Sequence, residues 1–259
     1  MIMRFHLVDA FADQAFSGNT AGVVLLDAPA GERWMQDVAA EFKHPETAFV
    51  VTSGEGPAPL RWFTPTVEVA LCGHATLATA HVLGGEQTFS TLSGELRCRA
   101  EDGWVTLDFP ADPPAPVAGA EQDRVARALG GLPVEYLGRG EHDLLAVLRG
   151  GADVRGLQPD LDAIADLGPR ALIVTAPGDR DGIDMVSRVF GPAVGIDEDP
   201  VTGSAHCTLA PYWARRSGRG ELVGEQASAR GGIVRMDLRG DRVLLAGRAI
   251  TVASGELHV

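Results

Sequence analysis

Two stretches of the chain lose nearly all charge directly after a glycine, and the other elements are arranged about them. The first follows Leu71-Cys72-Gly73-His74, where Ala75 to Leu83 is apolar on every face. Such a run predicts a helix sheathed by protein on all sides. The second follows Gly203-Ser204, where Ala205 to Trp213 has the same character. Upstream of each run the pattern alternates between strand and helix periods. Gly22 to Leu26 reads as a strand, Glu32 to Phe42 as an amphipathic helix with Trp34, Val38 and Phe42 on one face, and Thr47 to Val51 as a strand. In the second half Leu144 to Leu148, Pro159 to Asp166 and Ala171 to Thr175 repeat strand, helix, strand. Phe190-Gly191-Pro192 stands 127 residues after Phe63-Thr64-Pro65, and Gly203-Ser204-Ala205 stands 130 after Gly73-His74-Ala75. These rhymes predict an internal duplication. Two unrelated buried helices that each begin with glycine are the bland alternative.

The remaining elements follow the same logic. Strands are expected at Met3 to Val8, Leu60 to Phe63, Thr88 to Leu92, Gly94 to Ala100 and Trp104 to Phe109. In the second half come a helix at Gln122 to Leu129, strands at Val134 to Gly138 and Ile183 to Phe190, and a strand-rich tail. Ala111-Asp112-Pro113-Pro114-Ala115-Pro116 reads as a semi-rigid spacer. It sets the expected lobes at residues 1–113 and 114–248, with a return strand from Ala249 that joins the first lobe. The fold class is therefore α+β, two similar lobes, each a mixed sheet around an apolar helix.

Composition narrows the partners. The 259 residues are 45% hydrophobic and carry a net charge of −13. An acidic chain is a poor match for a nucleic-acid backbone or an anionic membrane. No run reaches transmembrane length, and the N-terminal residues lack an apolar signal core. Three cysteines, Cys72, Cys98 and Cys207, have no framework spacing. The expected location is a reducing cytoplasm.

The candidate chemistry lies at the two glycine turns. A helix that opens on glycine offers free N–H groups to an anion, so Gly73-His74 and Gly203-Ser204 are expected to seat a substrate carboxylate between the lobes. Glu46 stands between Pro45 and an apolar strand. Desolvation there would raise its pKa toward the range of a general acid or base, whereas an ordinary turn acid is the alternative. Asn19, in Ser17-Gly18-Asn19-Thr20, either donates its amide to a ligand or closes a turn. Asp197, Glu198 and Asp199 read either as a solvated loop or as acids facing the cleft. No dinucleotide or phosphate-loop pattern is present. The histidines lack zinc spacing; His74 and His81 share a helix, but no acid or cysteine is seen to complete a site, so no metal is expected. A two-thiol racemase is disfavoured, because the residue 130 after Cys72 is Thr202.

Five ordered motifs now carry a resemblance. Ser17-Gly18-Asn19-Thr20-Ala21-Gly22, Pro45-Glu46-Thr47-Ala48-Phe49-Val50, Phe63-Thr64-Pro65, Leu71-Cys72-Gly73-His74-Ala75-Thr76 and Glu198-Asp199-Pro200-Val201-Thr202-Gly203-Ser204-Ala205-His206 together resemble the PhzF-like isomerase family of phenazine biosynthesis. The resemblance implies the diaminopimelate-epimerase-like fold, a homodimer and no cofactor. It implies that Glu46 moves a proton between carbons of a small cyclic amino- or hydroxy-carboxylic acid, in the manner of a trans-2,3-dihydro-3-hydroxyanthranilate isomerase. His74, Asp199 and Ser204 would then surround the substrate. Two alternatives are a carboxylate-binding protein without turnover and an amino-acid epimerase or racemase that uses Cys72.

Overall fold

The computed structural model describes residues 2–258. The chain falls into two compact units, Met1–Asp108 with Ala246–Val259, and Phe109–Leu245. Both are mixed α+β.

In the first unit, strand Ile2–Ala10 pairs antiparallel with Asn19–Leu26 and, on its other side, with Ala249–His258. Strand Asn19–Leu26 runs parallel to Glu46–Val51, which pairs antiparallel with Ala58–Phe63. That strand pairs antiparallel with the short Glu68–Val69 and parallel with Gly85–Thr91, and a meander through Gly94–Glu101 and Trp104–Pro110 follows. A parallel pair needs a crossover, and helix Glu32–Phe42 supplies it. The central strands are covered on both faces, which is why they read as unbroken apolar runs rather than as an alternation. Val24, Leu26, Phe49, Val51 and Phe63 pack under Met35, Val38 and Ala39 of that helix. Residues of opposite parity, among them Ala21, Val23, Ala48 and Val50, are fully buried toward the other face. At Gly22 helix and sheet come close: a Cβ there would stand 2.9 Å from the Phe42 ring.

Helix Gly73–Leu83 lies against the other face, in contact with strands Ile2–Ala10, Asn19–Leu26, Glu46–Val51, Gly85–Thr91, Gly94–Glu101 and Ala249–His258. Every residue from His74 to Ala80 is buried. Two of these are threonines. Their hydroxyls turn back onto the helix, Thr76 to the Cys72 carbonyl at 2.5 Å and Thr79 to the Ala75 carbonyl at 2.7 Å, so neither is left unsatisfied.

The same succession of pairings recurs in the second unit. Tyr136–Arg139 pairs antiparallel with Asp143–Val147, which runs parallel to Ala171–Pro177. That strand pairs antiparallel with Met185–Gly191, which in turn pairs antiparallel with the short Ile196–Asp199 and parallel with Glu221–Gln226. Gly232–Arg239 completes an antiparallel hairpin. One face of this sheet is capped by Val125, Ala128, Val154 and Ile164 of helices Ala120–Ala128, Gly151–Gly156 and Leu161–Ala165. Helix Gly203–Ser217 contacts strands Asp143–Val147, Glu221–Gln226 and Gly232–Arg239. Trp213 of this helix donates its indole N–H to Thr175 Oγ1 at 3.2 Å. Pro211 sits inside the helix and has no N–H for the Cys207 carbonyl. That carbonyl accepts instead from the Asp112 N–H at 3.0 Å.

Several local expectations are corrected. The helix expected over Pro159 to Asp166 is shorter, Leu161–Ala165, and Asp160 starts it by accepting from the Ala163 N–H at 3.0 Å; a further short helix, Gly151–Gly156, precedes it. Leu92 lies outside the strand that ends at Thr91, in the turn to Gly94, and is 67% exposed. Residues 196–199 form a strand rather than a solvated loop. Within the Pro-rich stretch, Ala115–Val117 is a strand paired to Tyr136–Arg139. Among the described residues, no helix is long and apolar enough to cross a membrane.

Candidate functional site

The proposed residues sort by unit: Asn19, Glu46, Gly73 and His74 in the first, Asp199, Gly203 and Ser204 in the second. In the first unit the sheet register assembles the group. Ala21 stands opposite Glu46 across the parallel pair, so Asn19, Ala21 and Glu46 share the face that meets helix Gly73–Leu83. Gly18 starts that strand in a left-handed conformation, φ 66°, where a Cβ would collide with the Ala10 carbonyl oxygen at 2.2 Å. Only glycine fits, and Asn19 is thereby delivered fully buried at the strand start. Buried Asp9 fixes the loop by accepting from the Phe16 N–H and the Thr20 hydroxyl, both at 2.7 Å.

His74, the second residue of its helix, is the hub. Its Nε2 stands 3.3 Å from Glu46 Oε2. Its Nδ1 stands 3.3 Å from Asn19 Nδ2 and 3.5 Å from Cys72 Sγ. Asn19 Nδ2 lies within hydrogen-bond distance of Nδ1, and the tautomer of the ring sets the roles there. Burial pushes the His74 pKa down to about 4, partly offset by a hydrogen bond to the Thr20 backbone. At neutral pH the imidazole is uncharged and the contact with Glu46 is not an ion pair. Contrary to the expectation from the helix alone, an acid and a cysteine do accompany His74: Glu46, Cys72 and His74 each place one potential ligand atom within 4.8 Å of the others. Along the helix only His81 accompanies His74; its partners come from a strand that starts 28 residues upstream and from the residue at the helix cap.

The second unit builds a different group at the corresponding place. There Ser204, again the second residue of its helix, accepts from Arg170 Nη2 at 3.0 Å. Arg170 precedes strand Ala171–Pro177, as Glu46 begins strand Glu46–Val51. Asp143, 3% exposed, grips Arg170 through two hydrogen bonds, to Nε at 2.9 Å and to Nη2 at 2.5 Å. Although burial opposes the charge, the hydrogen bonds and field of Asp143, with Asp199 and Asp112, hold the Arg170 pKa above its ordinary value. Asp199 accepts from Thr202 Oγ1 at 2.5 Å. Buried Gln226 ties this corner together: its amide donates to the Asp199 carbonyl at 2.7 Å, and its carbonyl accepts from the Thr202 N–H at 2.8 Å. Glu198 is drawn into a bidentate pair with Arg188, at 2.7 and 2.9 Å. Arg170, Asp143 and Gln226 were not anticipated. Their only sequence signal is a polar residue at each end of an apolar strand, which is what most strands show.

A second buried histidine lies one turn into this helix. His206 Nδ1 bonds the Thr202 carbonyl at 2.8 Å, its Nε2 is buried without a partner, and burial pushes its pKa down to about 4. His74 and His206 together set an acid limit. Each folded pKa lies below the unfolded value of 6.5, so the unfolded chain binds more protons between the two. The stability both contribute is complete above pH 6.5 and is lost as pH falls toward 4. Urea unfolding at stepped pH should therefore show a decline of several kcal/mol across that window, on the order of 3 kcal/mol per histidine at most. His206→Asn should remove part of that slope; an unchanged slope would show that the His206 ring contributes nothing to it.

Comparisons with known proteins agree over the full chain. The family model for phenazine biosynthesis-like protein, PhzC-PhzF, matches residues 8–255. An uncharacterized isomerase of Pseudomonas aeruginosa is 49% identical over 266 residues, with 100% of each chain covered. The crystal structure of a phenazine biosynthesis protein of the PhzF family from Enterococcus faecalis superposes with a TM-score of 0.94 at 38% identity, again with 100% of both chains covered. A hydroxyproline epimerase from Agrobacterium vitis, with bound trans-4-OH-L-proline, superposes with a TM-score of 0.63 at 12% identity, covering 99% of this chain and 92% of its own. That last likeness is one of fold, and the fold is the diaminopimelate-epimerase-like one. The chain belongs to the phenazine biosynthesis-like, PhzC-PhzF, protein family and is an isomerase.

Proposed function

We propose that the chain moves a proton within a small cyclic amino- or hydroxy-carboxylic acid without a cofactor, with Glu46 as both the base that removes the proton and the acid that returns it. The observation that carries this reading is the 3.3 Å approach of Glu46 to a neutral, buried imidazole. A carboxylate able to cycle between its two protonation states needs a neighbour that does not cancel its charge, and neutral His74 is such a neighbour. One group serving in turn as base and acid gives an isomerisation with no net redox change. His74 and Asp199 orient the substrate amine or hydroxyl. The N–H groups at Gly73-His74 and Gly203-Ser204 receive the carboxylate, with Asn19 holding His74 in place. An internal duplication accounts for the repeated pairing order, and the reading carries with it a homodimer, which light scattering in solution checks.

The test is deuterium uptake. In D2O the chain should place deuterium on carbon in a cyclic amino or hydroxy acid that it binds. Thermal shifts with such acids and no carbon-bound exchange in any of them would favour a binding protein instead. Arg170 extends the reading. Its Nη1 has no partner among the described residues, and Asp143 fixes the guanidinium beside Ser204. Arg170→Met should weaken the acid by roughly 10- to 100-fold, the worth of a charge-assisted hydrogen bond, with kcat little changed. A KM within twofold of the parent would remove Arg170 from carboxylate recognition.

One observation favours a second reading. Cys72 Sγ stands 3.5 Å from His74 Nδ1, close enough for the imidazole to draw on the thiol proton, as an epimerase would require. Cys72→Ser separates the two: an epimerase loses activity, whereas a glutamate-driven isomerase keeps most of it.

A further inference from the structure

The site in the first unit joins three donors of different chemistry, a carboxylate, a thiol and an imidazole. One ligand atom from each of Glu46, Cys72 and His74 lies within 4.8 Å of the other two. The imidazole approaches the carboxylate to 3.3 Å and the thiol to 3.5 Å, through Nε2 and Nδ1 respectively. Two ligands of one tetrahedral zinc-sized ion stand about 3.3–3.6 Å apart, given metal–ligand bonds of ~2.0–2.3 Å. The side chains of His74 and Glu46 are only 6% and 13% exposed, so an ion between them would be largely withdrawn from water.

We propose that Glu46, Cys72 and His74 form a binding site for a soft divalent cation of the zinc class. One imidazole nitrogen, the Cys72 thiolate and one Glu46 oxygen are the protein ligands, and water completes the tetrahedron. Each imidazole nitrogen now serves a different neighbour, so closing on one nitrogen takes a side-chain swing of about 1 Å, from a span of up to 4.8 Å to the ligand–ligand distance of a tetrahedral ion. On binding, the thiol releases its proton to solvent. Hard cations are excluded by the donor set: magnesium and calcium prefer oxygen, whereas thiolate with imidazole selects zinc, cobalt and their neighbours. The inference does not depend on the isomerase reading, but it bears on it. The same Glu46 carboxylate holds the ion or carries the proton, so occupation by metal and proton transfer exclude each other.

The experiment uses the full chain, reduced and dialysed against a chelator, then titrated with Co2+. The expected result is one Co2+ per chain with a near-ultraviolet thiolate-to-cobalt band that Zn2+ displaces. Cys72→Ser should abolish the band and Cys98→Ser should leave it intact. Glu46→Gln and His74→Asn should each weaken binding at least 10-fold, and they carry the test if Cys72→Ser does not fold. No band at millimolar Co2+, a band that survives Cys72→Ser, or affinity unchanged in both other variants would overturn the proposal. Carbon-bound deuterium uptake is a separate readout, so a missing band leaves the proton-transfer reading standing.

Discussion

Glu46→Gln lowers the rate of carbon-bound hydrogen exchange by ~10²–10⁴, the usual worth of a positioned general acid or base, while affinity for the acid changes little. The substitution isolates chemistry from structure. Glutamine has nearly the volume of glutamate and keeps the strand start opposite Ala21. Its amide remains within hydrogen-bonding reach of His74, so the buried ring does not lose its neighbour. What disappears is the carboxyl group proposed to carry the proton. Glu46→Asp adds a graded control: the carboxylate is retained but withdrawn by one methylene, and an intermediate rate is expected because proton transfer depends steeply on distance. If Glu46→Gln exchanges at the parent rate on an acid that both proteins bind, the proton passes through another group and the proposal fails.

Phe49→Ala lowers stability by about 3–5 kcal/mol. Phe49 is 2% exposed and meets two aromatic rings edge-on, Trp34 at 5.9 Å and Phe63 at 5.6 Å. Truncation opens a void under helix Glu32–Phe42 and removes both ring contacts, each worth ~0.5–1.5 kcal/mol beyond the buried area. The urea midpoint should fall with the slope unchanged. Phe49 points to the face opposite Glu46, since neighbouring strand residues alternate in direction. Deuterium uptake measured in the cold, where the variant is still folded, should therefore stay near the parent rate. A loss of stability below about 1 kcal/mol would mean that the helix closes over the void.

The sequence pattern disclosed those parts of the fold that depend on local periodicity. Helix Glu32–Phe42 has the bounds its apolar stripe predicts, and the uncharged runs after Gly73 and Gly203 are helices. Strand ends drifted by a few residues: the expected start at Gly22 is Asn19, because Gly18 turns the chain earlier than the apolar run suggests. Register was not legible. Asp143 meets Arg170 because Asp143 stands opposite Ala171 across a parallel pair, and nothing in either segment alone announces that alignment. The gathering of Cys72, His74 and Glu46 depends in the same way on which strand face meets a helix, a tertiary choice that composition does not encode. The acids at 197–199 deceived for a further reason. Glu198 and Asp199 look like a solvated run until Arg188 and Thr202 draw them into pairs.

A proline inside helix Gly203–Ser217 would ordinarily count only as a defect, yet here the gap it leaves is filled from outside the helix. The carbonyl it frees receives the Asp112 backbone N–H, and Asp112 Oδ2 also accepts from the Thr208 hydroxyl at 2.9 Å on the next turn position. The segment that opens the second unit is thus fastened to the helix at two adjacent rungs. Restoring an ordinary amide at position 211 would make the helix compete with that segment for a single acceptor, so an exchange that raises helix propensity would loosen the anchorage of the chain around Asp112.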